Sequence, residues 1–285
     1  MKRTFKHILL SSSIALASIS ILSSPSNTSA APTINIQSIL QQERAWAGMQ
    51  TKRVKVGDIE WAYSEGGTKG KPVIMLIHGL AGSRDNWNRV ARYLTPHYQV
   101  IIPDLPGQGD SKAPNDFDYS IPNLTEKLRR FAEAIQVEKD LHIAGHSMGG
   151  AISLLYAAQY PIDAKSLFLV NSAGVFKSAN TPYLKDPNLL RNFVVAKPGD
   201  FDRLFKIAAQ LPPFIPNELK VEQEKLMISN AANTSKLIEQ LILMSKSFTP
   251  DTFAIAARSI DQPTLIVWGD KDQIINVEAA SELKG

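Results

Sequence analysis

Residues 145–149 read Gly-His-Ser-Met-Gly, and their surroundings decide whether the pattern can do chemistry. A serine hydroxyl is a poor nucleophile until a neighbouring base takes its proton. It becomes useful when it projects from a tight strand-to-helix turn, in a strained backbone conformation, beside free amides that can hold a developing negative charge. Here "LHIAG" (141–145) leads in as a strand and "MGGAISLLYAAQY" follows as a helix. Side chains at the two flanking positions would collide with neighbouring strands and helix, which explains Gly145 and Gly149; Gly150 and Ala151 extend the small surface. Ser147 is therefore the candidate nucleophile, for acyl transfer from an ester carbonyl.

Such a reaction needs two amide donors. The helix starting near Met148 points its positive end at the serine, so the Met148 amide is one candidate. The loop "HGLAG" (78–82) follows the first long apolar strand, and the Leu80 amide is the expected second donor. His78, in the same loop, is expected to brace it from beneath rather than act as a base.

The elements that must hold these groups alternate along the chain. Residues 34–50 read as a short amphipathic helix, and two alternating runs around Gly57-Asp58 read as a β-hairpin. "GGTKGK" (66–71) lacks phosphate-loop spacing and reads as a polar turn. Uninterrupted apolar runs at 72–79, 99–107, 141–145, 166–174 and 264–270 read as buried strands, with helices such as "SRDNWNRVARYL" and "PNLTEKLRRFAEAIQ" between them. Strand–helix alternation of this kind predicts an α/β fold, a mainly parallel sheet with helices on both faces. Residues 175–259 break the rhythm with helix formers and a "LPPFIP" interruption (211–216), so they are expected to form a helical cap or lid. The expected organisation is a leader at 1–30, the first part of the core at 31–174, the cap at 175–259 and the second part of the core at 260–285.

The leader is a basic start (Lys2, Arg3, Lys6), an apolar but serine-diluted run at 8–22 and small residues ending in "NTSAA". This is the pattern of a secretory signal peptide, which implies a secreted or periplasmic protein. It holds three basic residues and no acidic one, so the net charge of +4 falls to +1 without it. That balance gives no reason to expect nucleic acid as a partner. With no cysteine in 285 residues, disulfides, thiolate metal sites and cysteine nucleophiles are excluded. No cofactor, metal or stable protein partner is expected.

Taken in order, "LIHGLAGSRDNW", "PDLPGQGDS", "AGHSMGG" and "VWGDKD" resemble the α/β-hydrolase superfamily over about residues 50–285, and within it the secreted bacterial family V lipases. The resemblance implies an α/β-hydrolase fold and places the triad carboxylate in "WGDKD" (268–272), at Asp272, with Asp270 as the second choice. Asp104, in "PDLPGQG", reads as a loop-bracing residue. The resemblance implies a carboxylic ester hydrolase, a triacylglycerol lipase acting on an ester or lipid substrate at a lipid–water interface. A short-chain carboxylesterase and a carbon–carbon bond hydrolase of meta-cleavage products stay open as alternatives. The cap's apolar residues, Phe201, Leu204, Phe205, Leu211, Phe214, Ile215, Leu237, Ile238, Leu241 and Ile242, suit an acyl-chain pocket or lid and equally the interior of a helical cap.

The base is the missing part. Histidine occurs at 7, 78, 97, 142 and 146 only. In sites of this kind the histidine follows the acid in chain order, hence beyond Asp272. The expectation is a fragment, lacking a last strand, the histidine loop and a closing helix. The complete product should be active, whereas residues 1–285 alone should fold poorly and hydrolyse almost nothing. A complete chain without that histidine would instead be a binding protein on a hydrolase scaffold.

Overall fold

The computed structural model describes residues 35–177, 181–210, 214–245 and 249–284. Residues 1–30, expected to form a leader, lie outside them.

Helix α1 (Ile36–Trp46) opens the described chain, capped by the Asn35 side chain, which accepts from the amides of Gln37 and Ser38. The hairpin β1 (Met49–Val56) and β2 (Ile59–Gly66) turns at Gly57-Asp58, with Val56 facing Ile59. Then come β3 (Val73–Ile77), a 3₁₀ turn (Arg84–Trp87), α2 (Asn88–Leu94), β4 (Gln99–Pro103), α3 (Ile121–Ala134), β5 (Leu141–His146), α4 (Met148–Gln159) and β6 (Ala164–Val170). The run "SRDNWNRVARYL", expected as one helix, starts with the 3₁₀ turn. Ser83 and Asn86 form a reciprocal capping box there, which tightens the entry before α2 begins.

The seven strands lie in the order β1-β2-β4-β3-β5-β6-β7, where β7 is Thr264–Val267. The β1–β2 and β2–β4 pairs are antiparallel, and β4-β3-β5-β6-β7 is parallel throughout. Parallel strands covered by helices on both faces must be apolar on both. The central strands obey: Met75, Leu76, Ile77, Val100, Ile101, Ile102 and Ala144 are fully buried. One face packs Met75, Ile77 and Ile101 with Trp61, Phe131 and Tyr156; the other packs Leu76, Val100 and Ile102 with Trp87 and Ala91. Strand β7 differs from its sequence expectation. It forms the end of the described sheet, and Leu265 is 58% exposed, because an end strand has a neighbour on one side only.

Between β6 and β7 lie α5 (Pro182–Lys185), a 3₁₀ segment (Pro187–Phe193), α6 (Asp200–Ala208), α7 (Asn217–Ser229), α8 (Ala231–Met244) and α9 (Pro250–Arg258). Phe201, Leu204 and Phe205 of α6 are buried against one another and against Val195, Met227 and Ile228. Leu237 of α8 joins the main core with Leu241 and Phe253. These apolar side chains pack into the interior of the helical segment and onto its seat on the sheet. Phe214 is the exception, 89% exposed; Leu211 lies outside the described residues. The chain's last described element is α10 (Glu278–Lys284).

Candidate active site

Every group singled out for chemistry stands at the carboxyl edge of the parallel strands, where loops can meet without crossing the sheet. Ser147 is the residue between β5 and α4, with φ +53° and ψ −123°. A side chain rarely adopts that backbone conformation, and it persists only where the surroundings over-determine it. They do so here. The Ser147 amide donates to the Val170 carbonyl (3.1 Å), and the Ser147 carbonyl accepts from Gly150 (2.8 Å) and Ala173 (2.9 Å). The end of β6 thus clamps the turn that aims the hydroxyl.

The glycines are required by contact. A Cβ on Gly149 would enter the carbonyl oxygens of Ile77 and His78, and one on Gly145 would enter the backbone of Gly149 and Gly150. A Cβ on Gly79 would lie 3.1 Å from the Ser147 Cβ, so the loop after β3 passes directly over Ser147. Among the described residues, neither the Leu80 nor the Met148 amide donates to a protein acceptor. Both are free donors flanking the serine: one from the loop, one from the first turn of α4.

His78 is fully buried with both ring nitrogens engaged. Nδ1 lies 2.8 Å from the Gly79 carbonyl, and Nε2 lies 3.0 Å from the Leu105 amide. The carbonyl can only accept and the amide only donate, so the ring is the neutral Nδ1–H form. Burial pushes its pKa down to about 4. With no free nitrogen, His78 is a brace. His142 sits near the start of β5, with Nδ1 2.6 Å from the Ser166 hydroxyl, at the far end of the strand from Ser147. His97 lies in the turn before β4, also at the opposite edge. His146 is beside Ser147 but makes no hydrogen bond to it among the described residues; burial lowers its pKa, with the Asp272 charge opposing.

Asp272 and Asp270 are separated by their surroundings. Asp272 Oδ1 accepts the amides of Ile274 (2.8 Å) and Ile275 (3.0 Å), and Oδ2 accepts from the Asn171 side-chain amide. Asp270 is exposed. Sequence reading missed Asn171, the residue that follows β6. Asn171 takes a left-handed backbone (φ +44°), tolerated more readily by asparagine than by most residues. Its own amide donates to Val267 (3.0 Å), tying the β6 and β7 ends together beneath the acid.

Asp104 is buried and braces the neighbouring loops. It accepts from the Arg84 amide (2.6 Å), the Asp110 amide (2.8 Å) and the Arg84 guanidinium, which also reaches Asp110 at 2.6 Å. Burial pushes the Asp104 pKa up to about 6. A cleft of mixed polar and apolar lining, with Ala81, Asn86, Gln108, Met227 and Asn230 among its residues, opens behind the loop after β3, and Ser147 does not line it. Among the described residues no cluster of three or more histidines and carboxylates could hold a metal ion.

A strained serine at a strand–helix turn, two free amides and an anchored carboxylate at one sheet edge define a class. Residues 72–285 match the model of the alpha/beta hydrolase fold family, and the chain belongs to that family. The likeness to bacterial lipases is also present in individual relatives. The chain is 35% identical to Lipase 1 of Psychrobacter immobilis, over 95% of this chain and 84% of that protein. It is 60% identical to a protein of Acinetobacter baumannii AYE assigned as a lipase, whose crystal structure matches with a TM-score of 0.87 over 92% of this chain and 86% of that one. The structure of a membrane phospholipase A described as a bacterial virulence factor matches with a TM-score of 0.80 at 36% identity, over 87% of this chain and 79% of that one.

Proposed function

We propose that the protein is an exported lipase that cleaves carboxylic esters of lipids through an acyl-enzyme on Ser147. The observation that carries the chemistry is Ser147 itself, held at φ +53° between two amides without protein acceptors. The lipid preference rests on the lipase and phospholipase relatives, and export on the leader-like residues 1–30.

In this reading a histidine takes the Ser147 proton as Oγ bonds to the ester carbonyl carbon. The carbonyl electrons move to oxygen, where the Leu80 and Met148 amides donate to them. Collapse breaks the ester C–O bond, and the alcohol leaves with the proton. Water then repeats the sequence on the acyl-enzyme, releasing the carboxylic acid and restoring Ser147. Asp272 receives the histidine's other N–H, fixes its tautomer and offsets its positive charge. Neither His78, His97 nor His142 has the geometry for this role. In sites of this kind the histidine follows the acid in chain order.

The test uses the complete gene product with an emulsified long-chain triacylglycerol and a fluorophosphonate probe. The wild type should hydrolyse the ester and take the probe on Ser147, and Ser147→Ala should do neither. Undiminished hydrolysis by Ser147→Ala would overturn the mechanism. Hydrolysis of soluble short-chain esters alone would overturn the lipid preference.

A further inference from the structure

Gln108 lies in the tight turn "PGQGDS" (106–111) that follows β4, and it is only 4% exposed. Its Oε1 accepts the Ala81 amide at 3.0 Å. Its Nε2 is buried and has no partner among the described residues. The amide cannot be turned round, because an NH₂ group would then face the Ala81 N–H.

The geometry of the loop shows what that bond does. A trans peptide is planar, with its C=O and N–H pointing in opposite directions. In the Gly79–Leu80 peptide, the carbonyl is gripped by His78 Nδ1 (2.8 Å) and the Gly82 amide (3.2 Å), so the Leu80 N–H must point the other way. The next peptide, Leu80–Ala81, is gripped by Gln108 through the Ala81 amide. Fixing two consecutive peptide planes fixes both backbone torsions of Leu80 between them. Ala81 meanwhile has φ +56°, a left-handed conformation that a residue with a Cβ does not choose unaided. Without Gln108 the second plane is free to rotate as Ala81 relaxes, which carries Gly82 away from the Gly79 carbonyl and leaves the plane that aims the Leu80 amide held by His78 alone.

The turn that carries Gln108 is itself rigid. The Gln108 amide donates to Leu105 (3.0 Å), its carbonyl accepts from Ser111 (3.1 Å), and Gly109 lies against the Asp104 carboxylate where any Cβ would clash. A residue kept for packing alone would not bury an unpaired NH₂, since an apolar side chain of similar size would avoid that cost. We propose that Gln108 is a positioning residue that holds the Leu80 amide in register for the oxyanion by accepting the Ala81 N–H. This rests on the acyl-transfer reading of Ser147.

The experiment compares Gln108→Leu, which removes the acceptor, with Gln108→Glu, which keeps an acceptor oxygen, in the complete gene product. Losing one oxyanion donor outright costs about 10²–10³ in kcat, so misaiming one should cost on the order of tenfold or more. Gln108→Leu is expected to lower kcat on a soluble ester by that factor, leave KM within about twofold, slow fluorophosphonate labelling of Ser147 in proportion and keep the wild-type Tm. Gln108→Glu should recover most of the rate. A Gln108→Leu enzyme with wild-type kcat would overturn the inference, as would a loss confined to KM, a loss tracking a fallen Tm or equal losses in both variants. Failure of the parent reading is distinguishable, because Ser147→Ala would then remain active or the probe would miss Ser147.

Discussion

Asp272 has room for one more hydrogen bond of the right kind. Two backbone amides occupy Oδ1 and Asn171 occupies one side of Oδ2, which leaves Oδ2 with an unused lone pair. A carboxylate held in this way can orient an imidazole, and an exposed one such as Asp270 cannot. Asp272→Asn should therefore lower kcat by about 10³–10⁴ with the fold intact, and Asp270→Asn should leave it within about twofold. Steady-state kinetics on both variants decides the matter; a dead Asp270→Asn beside an active Asp272→Asn would reverse the assignment. The chain's own text pointed to this stretch, but chose between the two aspartates by resemblance alone. The reason for the choice is Asn171, a partner 101 positions away, and nothing local to either residue announces it. Gln108 was invisible for the same reason: its meaning lies in one bond to Ala81, 27 positions distant.

At the scale of elements, the turn between β5 and α4 is built by exclusion. Gly149 rests against the carbonyls that end β3, so the first turn of α4 can approach the sheet closely enough to present the Met148 amide. Adding one methyl must push the helix off the strand, since backbone oxygens cannot step aside as a flexible side chain would. Gly149→Ala should destabilise the protein by about 3 kcal/mol or more, at the upper end for overpacking, and cost activity in whatever fraction folds. Chemical denaturation measures the first and active-site titration with the probe the second; unchanged stability would show that the helix has slack. Much of this layer was legible beforehand, because strands buried on both faces must be apolar and the glycines flank a serine. The cap was legible as helical but not in its packing. The apolar stripe of α6 could equally have lined a pocket, and only its contacts with Val195, Met227 and Ile228 reveal an interior. The end position of β7 was likewise hidden, since "TLIV" is as apolar as an inner strand.

Across the whole molecule, a neutral imidazole ties the two loops that lead out of β3 and β4. His78 donates to Gly79 and accepts from Leu105, so adding a proton at Nε2 breaks the second bond and puts a charge where no water reaches. Its pKa is about 4 in the folded protein and about 6.5 when unfolded. Between those values the unfolded chain binds more protons than the folded one, so stability falls as pH drops from about 6.5 to 4. The full effect is on the order of 3 kcal/mol. His146, also held low by burial, acts in the same direction. Asp104 acts in the opposite one: with its folded pKa pushed up to about 6, it favours the folded state as pH falls from 6 toward 4. A wild-type curve therefore mixes the two, and His78→Asn separates them. Asparagine can still donate to the Gly79 carbonyl but does not titrate. Urea unfolding at pH 7.5, 6, 5 and 4 should show the wild type losing more stability over this range than His78→Asn, even though the variant starts lower at pH 7.5. Parallel curves would mean that the imidazole takes up its proton without disturbing the loops, and that the Leu80 loop is held by the Gly82 and Gln108 bonds without it.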